Sequence, residues 1–185
     1  MKKILSFILL GATSLVASAQ ISSLDELSTD KAYTIYNPFY TTYAVYNAEK
    51  STSLVWAAGM TASDKTIADQ SYTTPFNAAD PSSSWMIVPF NDQWFVYNLG
   101  AKKFMAVGHT AANASTASAK LQDTPVAVEF TSNGNGGFHL RSYDGNQNFL
   151  CAAPQLSYPI SIWTSADNGS TWQIEENAQV QADYE

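Results

Sequence analysis

The sequence predicts an all-β domain built from three copies of one four-stranded unit, and two periodic series carry the prediction. Asp80, Asp123 and Asp167 each stand five residues before an apolar residue, Trp85, Val128 and Trp172. Each of these is followed two positions later by another, Ile87, Phe130 and Ile174. The interval is 43 residues and then 44. In phase with it, segments 94–98 (WFVYN) and 138–142 (FHLRS) lie 44 residues apart, and 33–37 (YTIYN) opens the first unit. A fixed period of this size marks one supersecondary unit whose copies share a core.

The chain begins with a segment expected to lie outside that fold. Lys2 and Lys3, the mostly apolar run 4–16 and the small residues Ala17-Ser18-Ala19 have the order of a bacterial secretory signal peptide. Residues 1–19 are therefore expected to be removed near Ala19, leaving a secreted or periplasmic chain of about 166 residues. Run 4–16 is too short to span a bilayer comfortably, and no later apolar segment is longer, so membrane insertion is not expected. Loss of Lys2 and Lys3 takes the net charge from -7 to -9. Nucleic acids and anionic membrane surfaces both require clustered cations, which an acidic, lysine-poor chain does not offer. The single Cys151 can make no internal disulfide, so an apolar core has to hold the domain. Cys151 itself lies in the apolar run 149–153 and reads as a small buried hydrophobe rather than a nucleophile.

Residues 20–31 form a polar lead-in with room for one helical turn over 22–27. Beyond it, β-branched and aromatic residues alternate with polar ones, and the turns contain Gly, Asn, Asp or Pro. The units run 32–92, 93–136 and 137–178, followed by a tail at 179–185. Their first strands are 33–37, 94–98 and 138–142. Their second strands are 43–45, 104–107 and 149–151. The third strands are 54–56 and 160–163, with a weak candidate near 117–121 in unit two. The fourth are 85–88, 128–130 and 172–174. Unit one is the longest, with 28 residues between Trp56 and Trp85 against eight between Trp163 and Trp172. The surplus makes a long surface loop, 57–84, and long loops are often functional. Its large aromatic residues, Tyr72 and Phe76, can either close the barrel floor or contact a ligand.

Twelve short strands in three sets of four resemble the β-trefoil over nearly the whole expected mature chain. A propeller also has four-stranded repeats but needs at least four blades. A seven-stranded sandwich would leave the period unexplained. The sharpest local motif, residues 165–172, fits the Asp-box S-x-D-x-G-x-T-W seen in sialidases. In it Asp167 would accept amide hydrogen bonds in a tight turn, Gly169 would supply a positive φ, and Trp172 would pack over the turn. That is a structural staple. Sialidases also clamp their substrate with three arginines, and this chain has only Arg141.

Catalytic chemistry finds no support. His109 and His139 are the only histidines, and with Cys151 they give no zinc-ligand spacing. No G-x-S-x-G, P-loop or G-x-G-x-x-G is present. His139 falls on the alternate face of a strand, where a solvated side chain is expected. The acidic pairs Asp25-Glu26 and Glu175-Glu176 occupy polar contexts and offer no candidate for the spaced carboxylates of a glycosidase. No catalytic residue, metal or cofactor is expected.

Trp56 and Trp163 are the candidate binding residues, each placed at the end of a third strand. A flat indole there suits stacking on the C–H face of a sugar, with Asp, Asn and Gln nearby to bond hydroxyls. The alternative is that both indoles cover the ends of the core. The same positions carry a resemblance to ricin-type lectins, which place an aromatic on the third strand and Q-x-W near the end of each unit. Trp56 and Trp163 match the aromatic, and Trp85 and Trp172 match the Trp, with Ser83 and Ser170 in place of the Gln. The Asp that those lectins carry near the second strand is absent, since the stretches are 44–46 (AVY) and 151–153 (CAA). Asp144, Asn146 and Gln147, in the turn after the first strand of unit three, could serve a differently built site. The resemblance implies a secreted, non-catalytic carbohydrate-binding module, with neutral glycans favoured by the acidic surface. A protein-binding trefoil, acting through loop 57–84 in the manner of a protease inhibitor, is the second expectation, and a weakly active or inactive enzyme the third.

Overall fold

In the computed structural model, residues 19–59, 75–108, 118–143, 148–152 and 160–184 are described. Six strands form a closed ring. They are β1 (Tyr33–Asn37), β4 (Trp85–Phe90), β5 (Gln93–Asn98), β8 (Ala127–Ser132), β9 (Phe138–Ser142) and β12 (Gln173–Glu176). Antiparallel pairing runs β1–β4, β4–β5, β5–β8 and β8–β9, and β12 returns to β1. A bridge from Phe138 to Trp172 joins β9 to the residue preceding β12.

Three hairpins cover one end of the ring. They are β2–β3 (Thr42–Asn47 with Ser51–Ala58), β6–β7 (Lys103–Ala106 with Lys120–Gln122) and β10–β11 (Phe149–Cys151 with Ser161–Trp163). They meet on the axis, where Val55 N donates to Ala119 O and Ala119 N to Ile160 O, both at 2.9 Å. Six barrel strands with three capping hairpins, in three sequential units, constitute a β-trefoil. The third strand of unit two lies at Lys120–Gln122, later than the 117–121 expected from its weak sequence signal.

The period has a direct physical cause. Trp85, Val128 and Trp172 are each fully buried, and each pairs with the first strand of its own unit: Tyr33↔Trp85, Trp94↔Val128 and Phe138↔Trp172. Alternate residues of every strand point inward, so the same positions fill one core three times over. The two indoles also bond. Trp85 Nε1 donates to Ala44 O and Trp172 Nε1 to Leu150 O, both at 2.8 Å, tying the fourth strand to the second in units one and three. Val128 has no such donor.

The ends of the first strands carry a second repeated device. Asn37 Nδ2 donates to the carbonyls of Asn168, Gly169 and Thr171, while its Oδ1 accepts from Tyr40 N. Asn98 does the same one unit later, donating to Ser82 O and Ser84 O and accepting from Ala101 N. Each clamps a short 3-10 turn that precedes the buried Trp, at Asn168–Ser170 and Pro81–Ser83. These turns are capped by Asp167, whose carboxylate accepts from Ser170 N at 3.1 Å, and by Asp80, which accepts from Ser82 N at 2.9 Å. In the third copy both halves change. Ser142 replaces the Asn, and Asp123 sits 3.9 Å from Lys103 Nζ without a 3-10 turn.

Gly169 is needed for a reason other than the expected positive φ. Its φ is not among the positive ones; a Cβ there would lie 2.7 Å from Ala152 O and 3.0 Å from Cys151 Sγ. The turn docks on β10 so closely, with Ala152 N donating to Gly169 O at 2.8 Å, that only hydrogen fits. Positive φ is found elsewhere, among others at Asn91 and Asp92, the two-residue turn between β4 and β5, where Asn and Asp tolerate it. Cys151 is buried, and burial pushes its thiol up to about 12.

The first and last described segments pack on the barrel. Ile21 is buried and donates from its N to Ile174 O, and Ser23 with Glu26 forms a capping box around the 3-10 turn Leu24–Glu26. At the other end, Val180 and Ala182 cover a second apolar cluster of Ala32, Met86, Tyr97, Leu99 and Phe104.

Candidate functional site

The outer face of the trefoil repeats as well. Aligning units by the carbonyls that accept the indole N–H, Ala44 and Leu150, places Tyr43, Phe104 and Phe149 at one position, the start of the second strand. All three are aromatic and point away from the core. Beside them stand the last outward residues of the first strands: Tyr36, Tyr97 and Arg141.

The three copies have diverged in what surrounds that ring. In unit one, Tyr36 tilts against Tyr43 with centroids 4.6 Å apart, and Phe76 stacks on Tyr43 at 3.6 Å and 10°. Burial, with the Glu175 charge adding to it, holds the Tyr36 and Tyr43 hydroxyls above the usual tyrosine range. In unit two, Tyr97 packs on Phe104 at 5.0 Å, and Tyr184 from the C-terminal end meets Tyr97 edge-on at 4.9 Å. In unit three, Phe149 faces Trp163 directly across the β10–β11 pair, and His139 meets Phe149 edge-on at 5.7 Å.

Trp163 is half-buried, as an outward strand residue should be. His139 is half-buried too, not solvated as its strand position suggested. Its Nε2 lies 3.3 Å from Thr171 Oγ1, and desolvation holds its pKa below the usual histidine value. Arg141 is not a free cation; it makes a bidentate pair with Glu129, both contacts at 2.9 Å. The result is an outward surface of two aromatic rings, an imidazole and a hydroxyl. It can stack on an apolar ring face and bond adjacent hydroxyls.

Trp56 does not occupy the position equivalent to Trp163. Trp56 pairs with Val45, whereas Trp163 pairs with Phe149, the counterpart of Tyr43. Trp56 therefore matches Ser161, and Trp163 matches Ala58. The offset of two residues keeps both indoles on the outer face but separates their neighbourhoods, so they are not two copies of one site. Asp144, Asn146 and Gln147 lie outside the described residues, as does Tyr72. The flanking Asn148 is buried, its Nδ2 donating to Gly108 O at 3.3 Å. The sequence reading missed Tyr43, Phe149, His139 and Glu175 as site residues. The available signal was the aromatic at the same place in all three units.

Among the described residues, no group of three His, Cys, Asp or Glu is placed to hold a metal ion, and no helix is long and apolar enough to cross a membrane. No family model and no curated protein matches the chain. Solved structures do. The ricin B-like lectin of Macrolepiota procera, solved in complex with lactose, superposes with TM-score 0.60 at 14% identity, covering 80% of this chain and 97% of that one. The Rhizoctonia solani agglutinin gives 0.55 at 12%, covering 80% and 95%. ThreeFoil, a designed 3-fold symmetric protein, gives 0.52 at 14%, covering 78% and 97%. With the closed six-strand ring and the threefold hairpin cap, these likenesses make the chain a β-trefoil that resembles the ricin-type lectins in fold.

Proposed function

We propose that the chain is an exported, non-catalytic module that binds neutral carbohydrate through unit three. The observation that carries this reading is the outward pair of Trp163 and Phe149, with His139 and Thr171 beside it. An indole and a phenyl ring on adjacent strands form a platform for the C–H face of a pyranose. The imidazole and the hydroxyl can each bond a sugar hydroxyl. Gln147, Asn146 and Asp144 precede Phe149 by two, three and five residues, and are assigned to the same site as further hydroxyl partners. Trp56 is assigned an accessory contact on the unit-one hairpin.

The ligand is neutral because the chain carries a net charge of -7 and its one arginine is engaged by Glu129. The signal-like N-terminus supports export. A single shallow platform binds at roughly millimolar, about -4 kcal/mol. Isothermal titration with neutral oligosaccharides tests the reading. Trp163→Ala should abolish binding while the protein stays folded, and Gln147→Ala should weaken it. A wild-type protein silent on a broad glycan array would refute the proposal and turn attention to protein ligands of loop 57–84.

A further inference from the structure

Unit one carries a different kind of site. The outer faces of β1, β2 and β12, together with segments 76–78 and 177–179, enclose an open cleft of about 150 Å³. One wall is aromatic, the Phe76 ring stacked on Tyr43. Thr34, Glu175, Asn177 and Gln179 supply polar groups to the remainder.

The wall is held in place. Asn177 Nδ2 donates to Ala78 O at 2.7 Å and to Ser84 Oγ at 2.8 Å, fastening the segment that brings in Phe76. Gly59, at φ +85°, lets the chain pass Tyr43 so closely that a Cβ would lie 3.2 Å from its ring.

The two carboxylates of the cleft are not alike. Glu176 is bound by Lys31 at 2.7 Å. Among the described residues Glu175 makes no ion pair, whereas Lys31–Glu176, Lys103–Asp123 and Arg141–Glu129 do. The Glu175 charge is felt by Tyr36 and Tyr43, whose ionisation it opposes.

Size and charge together name the ligand. Pockets that enclose a whole drug-sized molecule measure roughly 300–1,000 Å³, so this one admits a single terminal group. The face of an aromatic ring attracts cations, and a carboxylate without a partner does so more strongly. We propose that the Tyr43–Phe76 cleft binds a primary ammonium group at the end of a longer ligand, with Glu175 as its counter-ion. The outer face of Phe76, backed by the stacked Tyr43 ring, forms the π wall, and Thr34 Oγ1 and Gln179 Oε1 can accept the other ammonium protons. The group can belong to a lysine side chain or to an amino sugar. The site is separate from the Trp163 platform and does not depend on it.

The test is a two-dimensional amide NMR titration of the folded chain with Nα-acetyl-lysine methylamide and with glucosamine. N-acetylglucosamine and Nα-acetyl-norleucine methylamide serve as uncharged counterparts. At least one ammonium probe should bind saturably, shift the amides of Thr34, Tyr43 and residues 175–179, and weaken as salt is raised. The uncharged counterparts should bind roughly tenfold more weakly or not at all, and Glu175→Gln should weaken the ammonium probe by about the same factor. Phe76→Leu, which keeps apolar bulk but removes the π face, should weaken it less, and Trp163→Ala should leave it unchanged. Preference between the two probes identifies the source of the ammonium. Binding of the uncharged counterparts as tightly as the charged ones overturns the proposal. So does wild-type affinity in Glu175→Gln, or the absence of binding by both ammonium probes.

Discussion

The asparagine clamps allow one residue position to be tested three times in the same molecule. Asn98 is fully buried and makes three hydrogen bonds, two donated to Ser82 O and Ser84 O and one accepted from Ala101 N. At about 1 kcal/mol net for each bond, Asn98→Ala should cost about 3 kcal/mol. Part of this is buffered, since Ser84 O also accepts from Leu99 N at 3.0 Å, so about 2–3 kcal/mol is the expected loss. Asn37→Ala takes the side-chain donor from Thr171 O, while Gly169 O and Asn168 O keep Ala152 N and Thr171 N, so its cost should be similar. Ser142, at the same position in unit three, is buried with an Oγ that has no hydrogen-bond partner among the described residues. Ser142→Ala removes a desolvated hydroxyl and breaks no bond, so its stability should stay within about 0.5 kcal/mol of the parent. In a domain of this size 1 kcal/mol moves Tm by roughly 2–4 °C, so Asn98→Ala should melt about 4–12 °C lower. Urea unfolding followed by tryptophan fluorescence is a suitable assay, because Trp85 and Trp172 are fully buried and report loss of the core. A Ser142→Ala loss as large as that of Asn98→Ala would refute the reasoning, as would an Asn98→Ala loss below about 1 kcal/mol.

Three further outcomes follow from the turn at Asn168–Ser170 and from the thiol it covers. Gly169→Ala should destabilise by about 1–3 kcal/mol, because its Cβ would meet Ala152 O at 2.7 Å and neither backbone segment can yield without cost; a neutral result in the urea assay would contradict the close approach. Cys151 should resist a thiol reagent in the folded chain at mildly alkaline pH and react on unfolding. Its folded pKa, about 12, is above the unfolded value near 9, so it contributes stability that is present below pH about 9 and lost as pH rises toward 12. Cys151→Ala should flatten that alkaline decline in urea midpoint against pH.

The inner half of this structure is readable from the sequence because one barrel has to be filled three times. Trp85, Val128 and Trp172 recur because each meets a first-strand partner in the same layer. Positions with that constraint keep their spacing even when the residue changes from Trp to Val. The outer half was less legible. Trp56 and Trp163 look equivalent when counted from the second strand, yet pairing sets them two residues apart. The unit-one hairpin is longer and carries a register shift between Val45 and Asn47, which distance along the chain does not reveal. Phe76 arrives on Tyr43 from a long insertion, and Glu175 reaches the same cleft from the last strand. No period links such residues, because only the closed ring brings the first and last strands together.

This division bears on where binding can arise. The barrel layers are held to one shape by packing, whereas Tyr43, Phe104 and Phe149 share a position whose outer surroundings are unconstrained. Unit one places Phe76 on its ring and the Glu175 carboxylate beside it. Unit two covers its ring with Val180, Ala182 and Tyr184. Unit three sets Trp163 and His139 around its ring. A symmetric lectin would offer the same sugar site three times. Here one position carries an acidic aromatic cleft, a packed tail and an aromatic platform, so its three copies can bind different ligands or none. Symmetry in this protein belongs to the core, and both proposed sites lie where the symmetry is broken.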